Sequence, residues 1–249
     1  MNSLERTQAF ITGGQADRIP FHPILMRWAA RYTGTPYRDF CLDARAHCEA
    51  NIKCAEDFDI DWVNVMSDPY AEAEAFGLQL EYPADSLPIE IEPLLKEAGD
   101  IERLTMPDIR GNRRLTGRLE QLKYYREKLG DSTLICGWVE GPLAEYTDLR
   151  GLAEACMDFY DNPGLMEKAL DLITEFSMEF AAAQVQAGAN CIGIGDAACS
   201  QIGPQLYRSF VWEREKLVVE HIHALGAMVK LHICGNTTSI LKDMIATGA

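Results

Sequence analysis

Three times in the C-terminal part of the chain a helical stretch ends in Gly-Ala, at Gly188-Ala189, Gly226-Ala227 and Gly248-Ala249. The first two pairs are each followed by a short apolar run, in "AGANCIGIGD" and "LGAMVKLHICG". Glycine just past a helix takes the left-handed conformation without a Cβ penalty, so each pair reads as a helix stop and a strand start. Short apolar strands alternating with amphipathic helices imply parallel βαβ units and predict an α/β fold of the (β/α)8 TIM-barrel type, with one domain over 1–249. The third pair stands at Ala249, where the rhythm calls for a further strand, so the expectation is a barrel truncated after about five strands with its C-terminal part missing. A doubly wound sheet is the competing architecture.

The same order holds upstream. Asn2 and Ser3 are cap candidates for a first helix stopped by Gly13-Gly14, and "IPFHPILM" follows as an expected strand. "RDFCLDARAHCEANIKCAEDF" has helical period and precedes the strand "DWVNVM". "FGLQLEYPADSLPIEIEPL" alternates and carries prolines, which predicts a small hairpin. "LTGRLEQLKYYREKLG" is a helix before the strand "STLICGWVEGP", and Asn162-Pro163 is a cap followed by proline at the first helical position.

Charge and composition exclude several classes. Thirty-eight acidic against 23 basic side chains give a net charge of -15, unfavourable for nucleic acid or anionic membrane. No apolar run approaches the ~18 residues of a membrane span, and the N-terminus lacks a signal pattern, so a cytoplasmic protein is expected. Eight cysteines without a secretion signal predict reduced thiols, most of them packed in the core. Cys41 and Cys48 share a helical face and Cys54 is turned away from it, a pattern of packing more than of metal binding.

Reactive groups of parallel α/β folds collect at the C-terminal ends of strands. Polar residues stand there in this sequence: Arg27, Asp68, Glu140, Asp196, and His232 with Cys234. His232 and Cys234 are two apart on a strand, hence on one face, and imidazole with thiolate is a zinc-type donor pair. A hydrogen-bonded histidine beside a packing cysteine is the alternative. Cys199 is the third-ligand candidate within the chain, unless that ligand lies in the missing part. Arg27 and Arg31, four apart in "MRWAAR", suit an anionic group or else pair with Asp39 or Asp43. "IGIGD" lacks the third glycine of a dinucleotide loop and ends in an acid, which excludes that cofactor.

"ADRIP", "MRWAAR", "SDPYAEAEAFG", "GPLAEY" and "GDAACSQIGPQLYRSF", in this order, resemble the uroporphyrinogen decarboxylase superfamily across essentially the whole chain. The resemblance implies a (β/α)8 barrel and one of two chemistries. Metal-free decarboxylation of a tetrapyrrole would use Arg27, Arg31, Asp68 and Tyr146, although "WAA" replaces the "QAG" of that branch. "HICGN" is similar to the His-x-Cys zinc motif of the corrinoid-dependent methyltransferases, of the methylcobalamin:coenzyme M type. That branch implies Zn2+ on His232 and Cys234, a corrinoid (methylcobalamin) carried by a partner protein, and a thiol or related methyl acceptor; separately, the open strand edges of a truncated barrel invite pairing with another chain, a possible homo-oligomer. Arg27, Arg31 and Tyr146 would then bind substrate. Asp68 would orient the arginines or take a proton, and Asp196 would complete the rim of the site.

Overall fold

The computed structural model describes residues 1–249. Its central sheet is parallel, with four strands in the order β1 (Trp62–Asn64), β4 (Leu134–Glu140), β5 (Cys191–Gly195) and β6 (Met228–His232). β2 (Leu80–Glu81) and β3 (Ile89–Glu90) form the small antiparallel hairpin expected from the alternating segment. Helices Ala44–Phe58, Arg113–Leu129, Pro163–Ala187 and Trp212–Ala224 each precede one strand of the parallel sheet, which is the α/β arrangement of a TIM-barrel type fold. Every residue of β4 and β5 is buried, as parallel strands covered on both faces require. No helix is long and apolar enough to cross a membrane.

The Gly-Ala rhythm has the expected physical origin. Gly188 and Gly226 take φ of 121° and 81°, closing their helices, and the alanines that follow are buried at the approach to β5 and β6. Asn2 caps the first helix, Ser3–Ile11, in a reciprocal pairing with Glu5.

Three local expectations are corrected. "IPFHPILM" runs extended but joins no strand ladder. Pro20 and Pro23 have no N–H to give, and the segment is held by the Phe21 carbonyl accepting from Asp61 N at 2.9 Å and the Pro23 carbonyl accepting from Trp62 Nε1 at 2.9 Å. The parallel strands therefore number four and not five. The single helix expected across 38–58 is two, Tyr37–Leu42 and Ala44–Phe58, because the Asp43 carboxylate accepts from Arg45 N and Ala46 N and starts a second helix. Cys41 and Cys48 thus lie on different helices, and Cys41, Cys48 and Cys54 are all buried. Asn162 and Pro163 take the expected N-cap and first helical positions of the helix Pro163–Ala187, but the Asn162 side chain makes no capping bond and its amide donates instead to Asp158 Oδ1 at 2.9 Å.

Adjacent strands align Trp138 with Gly193 and Lys230, and Glu140 with Gly195 and His232. The Trp138 ring occupies the space that a side chain at 193 would fill, and a Cβ at 195 would come within 2.8 Å of its Cζ2. Gly193→Ala should therefore destabilise the protein by about 1–3 kcal/mol through overpacking. Gly117, in the helix Arg113–Leu129 with nothing near its Cβ direction, should gain about 0.4–1 kcal/mol on Gly117→Ala. Urea unfolding of both variants checks the opposite signs.

Candidate functional site

The C-terminal ends of β1, β4, β5 and β6 carry the polar residues picked out from the sequence. His232 is the last residue of β6, and the chain turns there through Cys234 and Gly235, whose φ is 86°. His232 Nε2 lies 3.2 Å from Cys234 Sγ. Six of the eight cysteines are buried, Cys156 is half-buried, and Cys234 is the exposed one. Burial, aided by the nearby Lys230 ammonium, holds the His232 imidazole below its ordinary value, so its nitrogen is neutral and free to act as a ligand at pH 7.

The ring of His232 stands 6.2 Å from that of Trp138, whose Nε1 donates to Glu140 Oε1 at 2.9 Å. Gly195 lies between the paired positions of Glu140 and His232 and puts no side chain in their way. The two small residues of "IGIGD" therefore make room for the indole and the carboxylate rather than for a cofactor's phosphates.

Cys199 does not join His232 and Cys234. It sits on the short turn Ala197–Gln201, fully buried, and faces Asp196 and Glu215; these three donors lie within 4.8 Å of one another. Their polar atoms already have protein partners: Asp196 accepts from Leu143 N at 3.3 Å and Ala144 N at 2.8 Å, and Glu215 accepts from Tyr207 and, at 3.8 Å, from Cys199 Sγ. Burial pushes the Asp196 carboxyl up to about 6, and it pushes up Glu215 and Cys199 as well. The triad has metal-type donors, but in this arrangement it shares protons and caps the helix Pro142–Arg150 from across the sheet. Asp196 is accordingly beneath the rim and not on it. Gly141 allows this approach, since a Cβ there would lie 2.5 Å from the Asp196 carboxyl carbon.

Asp68 is fully buried in a pairing with Arg114, whose Nη2 donates to Oδ1 at 2.7 Å and Oδ2 at 2.6 Å, and Ser67 Oγ donates at 2.6 Å. Burial alone would raise this carboxyl, but Arg114 and Arg118 outweigh it and hold it below the ordinary carboxylate value. The arginine that Asp68 orients is thus Arg114, one of two set four apart on the helix Arg113–Leu129; Arg118 pairs with Glu72 at 3.3 Å. Neither was picked out from the sequence, where their spacing was the available signal.

Arg27 and Arg31 are exposed, form no ion pair with Asp39, Asp43 or any other acid, and line a pocket of about 350 Å³ with Tyr37, Thr35 and Asp85. Met26, with φ 41° and ψ −120°, turns the chain into their helix, Arg27–Thr33. Tyr146 is buried, its hydroxyl donating to Asp158 Oδ2 at 2.6 Å beside Arg150 at 2.9 Å. Below the mouth lies an excess of acids: Glu140, expected at its strand end, is joined by Glu72, Glu145 and Asp148, which were missed in the sequence, with Arg118 the cation among them. Burial raises all four carboxyls; repulsion by neighbouring acids adds to it for Glu140, Glu145 and Asp148, whereas Arg118 partly offsets it for Glu72.

The sequence matches the uroporphyrinogen decarboxylase (URO-D) family over residues 2–249. A methylcobamide:CoM methyltransferase of Methanosarcina barkeri is 33% identical over 143 residues, 57% of this chain and 41% of its own length. One of Methanosarcina acetivorans is 31% identical over 75% of this chain and 55% of its own length. A uroporphyrinogen decarboxylase of Sulfurimonas denitrificans is 24% identical over 88% of this chain and 68% of its own length. A solved methyltransferase from Methanosarcina mazei superposes with a TM-score of 0.90 at 25% identity, over 100% of this chain and 74% of that one. The match spans about half the length of the two methyltransferase relatives, 41% and 55%.

Breaking the buried pair by Asp68→Asn should cost about 3–5 kcal/mol at pH 7, because Arg114 loses its fully buried, two-pronged partner and keeps only the more exposed Glu74, 3.0 Å from its Nε. The pair's stabilisation is full above the ordinary carboxylate value and is lost as pH falls through the depressed value of Asp68. Urea unfolding at pH 7 and below pH 4 should show the gap between the native protein and the variant closing on the acid side.

Proposed function

The chain belongs to the uroporphyrinogen decarboxylase family, and from that premise we propose that it moves a methyl group between a corrinoid carried by a partner protein and a thiol, with zinc held by His232 and Cys234. The observation that supports this reading is the 3.2 Å approach of His232 Nε2 to the one exposed cysteine, at a strand end. The spacing of the two donors fits the metal, since tetrahedral zinc with bonds of ~2.0 and ~2.3 Å holds its nitrogen and sulfur ligands about 3.5 Å apart, and they supply two of the three protein ligands that a catalytic zinc takes. Bound zinc would supply one service, keeping an acceptor thiol in its thiolate form at neutral pH.

The remaining work falls to the chain's own groups. His232 is neutral and its ring is set beside Trp138. The turn at Gly235 presents Cys234 to solvent, where a corrinoid face can dock, and methyl displacement demands such an in-line approach. Arg27 and Arg31, lacking acidic partners, would hold an anionic group of the corrinoid or its carrier. Asp68 would act by fixing Arg114 at the mouth, Asp196 by fixing the helix Pro142–Arg150, and Tyr146 by anchoring the loop wall through Asp158. A second reading, decarboxylation of a uroporphyrinogen-type tetrapyrrole, draws on the same free arginines, which suit acetate side chains.

Elemental analysis should find about one zinc per chain in the native protein and below about a tenth of that in His232→Ala and Cys234→Ala. Methyl transfer from methylcobalamin to a thiol should vanish with the metal. Arg27→Ala should keep its zinc and raise the apparent KM for the corrinoid about tenfold. Uroporphyrinogen decarboxylation that persists in metal-free Cys234→Ala would overturn the methyl-transfer reading in favour of the second.

A further inference from the structure

The first residues of all four parallel strands, Trp62, Leu134, Cys191 and Met228, line a pocket of about 420 Å³ at the end of the sheet opposite His232. It lies along β6, an edge strand, and its outer wall carries Phe10 and Ile11 of the first helix and Leu241 and Ile245 of the last, all four exposed. Large apolar side chains exposed around one hollow mark a binding surface, and the volume suits a small molecule. The lining holds no aspartate or glutamate, and Lys230 is its one charged side chain. The Lys230 ammonium stands 3.9 Å from the centre of the Trp62 ring and donates one of its three N–H groups to the His22 carbonyl at 3.2 Å. It forms no ion pair. His22 adds no second charge at pH 7, since burial pushes its imidazole down to about 4. An ammonium drawn out of water without a counter-charge is costly, and burial accordingly holds Lys230 below its ordinary value.

We propose that this pocket binds an unbranched aliphatic carboxylate, with its head group on Lys230 and its tail along the apolar wall of Phe10, Ile11, Leu241 and Ile245. The assignment concerns the end of the sheet away from His232 and Cys234 and needs neither zinc nor methyl transfer. Charge selects this occupant over others. A neutral apolar segment from a second copy of the chain would cover the wall and leave the ammonium without a counter-charge, and an alkylammonium would be repelled. A carboxylate takes up the remaining N–H groups in charge-assisted hydrogen bonds, while its tail removes the exposed apolar side chains from water.

Calorimetric titration with hexanoate, octanoate and decanoate, each below its micelle-forming concentration, should give one site per chain and a Kd that falls about fourfold for each added methylene. Decylammonium should bind at least about tenfold more weakly than decanoate. Lys230→Gln should abolish that preference for the anion, and Lys230→Arg should restore it. Ile245→Glu sets a carboxylate on the tail wall at an exposed position and should weaken decanoate at least about tenfold, a test that stands even where the Lys230 variants fail to fold. Absence of saturable binding, many sites per chain, a Kd indifferent to tail length, or equal binding of decylammonium would each overturn the proposal. So would a dimer, seen by light scattering, that Ile245→Glu dissociates and decanoate does not, because the pocket would then belong to a second copy of the chain.

Discussion

The indole of Trp138 lies across two glycines of the neighbouring strand, and the layout of the mouth follows from that contact. With Gly193 and Gly195 bare, the ring fills the space over β5 and brings its Nε1 to Glu140 and its face towards His232. A side chain at either glycine would push the ring off, and with it the carboxylate on one side and the imidazole on the other. The strands supply register; the indole converts register into a fixed separation between Glu140 and His232. Packing at interior density makes such an arrangement intolerant of even one added methyl group.

Charge is distributed around this centre with little slack. Arg114 and Arg118 leave the same helix face and satisfy Asp68 and Glu72, tying the segment after β1 to the helix that precedes β4. Beyond those pairs the mouth has more acids than bases, and burial keeps the surplus carboxyls protonated more readily than free ones. The excess of acids over bases in the composition is thus repeated at the mouth, while two unpaired arginines stand in a pocket of their own.

Much of the architecture is legible in the chain because it is written in local chemistry. Gly188 and Gly226 announce helix ends through a backbone conformation that other residues resist, and the alternation around residues 80 and 90 announces the hairpin. "IPFHPILM" misleads because an apolar run looks the same whether or not its N–H groups can enter a ladder, and two prolines decide that here. His232 and Cys234 are legible as a pair since a period of two puts neighbours on one face. The destination of Cys199 is not, because a side chain on a short turn can face either way and tertiary contact with Glu215 chooses. Arg114 is legible only after the fold is known, since its partner lies 46 residues away.

The burial of its fellow cysteines gives Cys234 one more property. As the exposed thiol in a chain whose other thiols are buried or half-buried, it is a natural attachment point for a thiol-reactive fluorophore, without any cysteine having to be engineered away. Because it stands at the edge of a cleft beside His232, the rate of labelling becomes a clock for whatever occupies the mouth. An occupant that shields the sulfur slows the dye, and the colour of the sample then reports occupancy in real time.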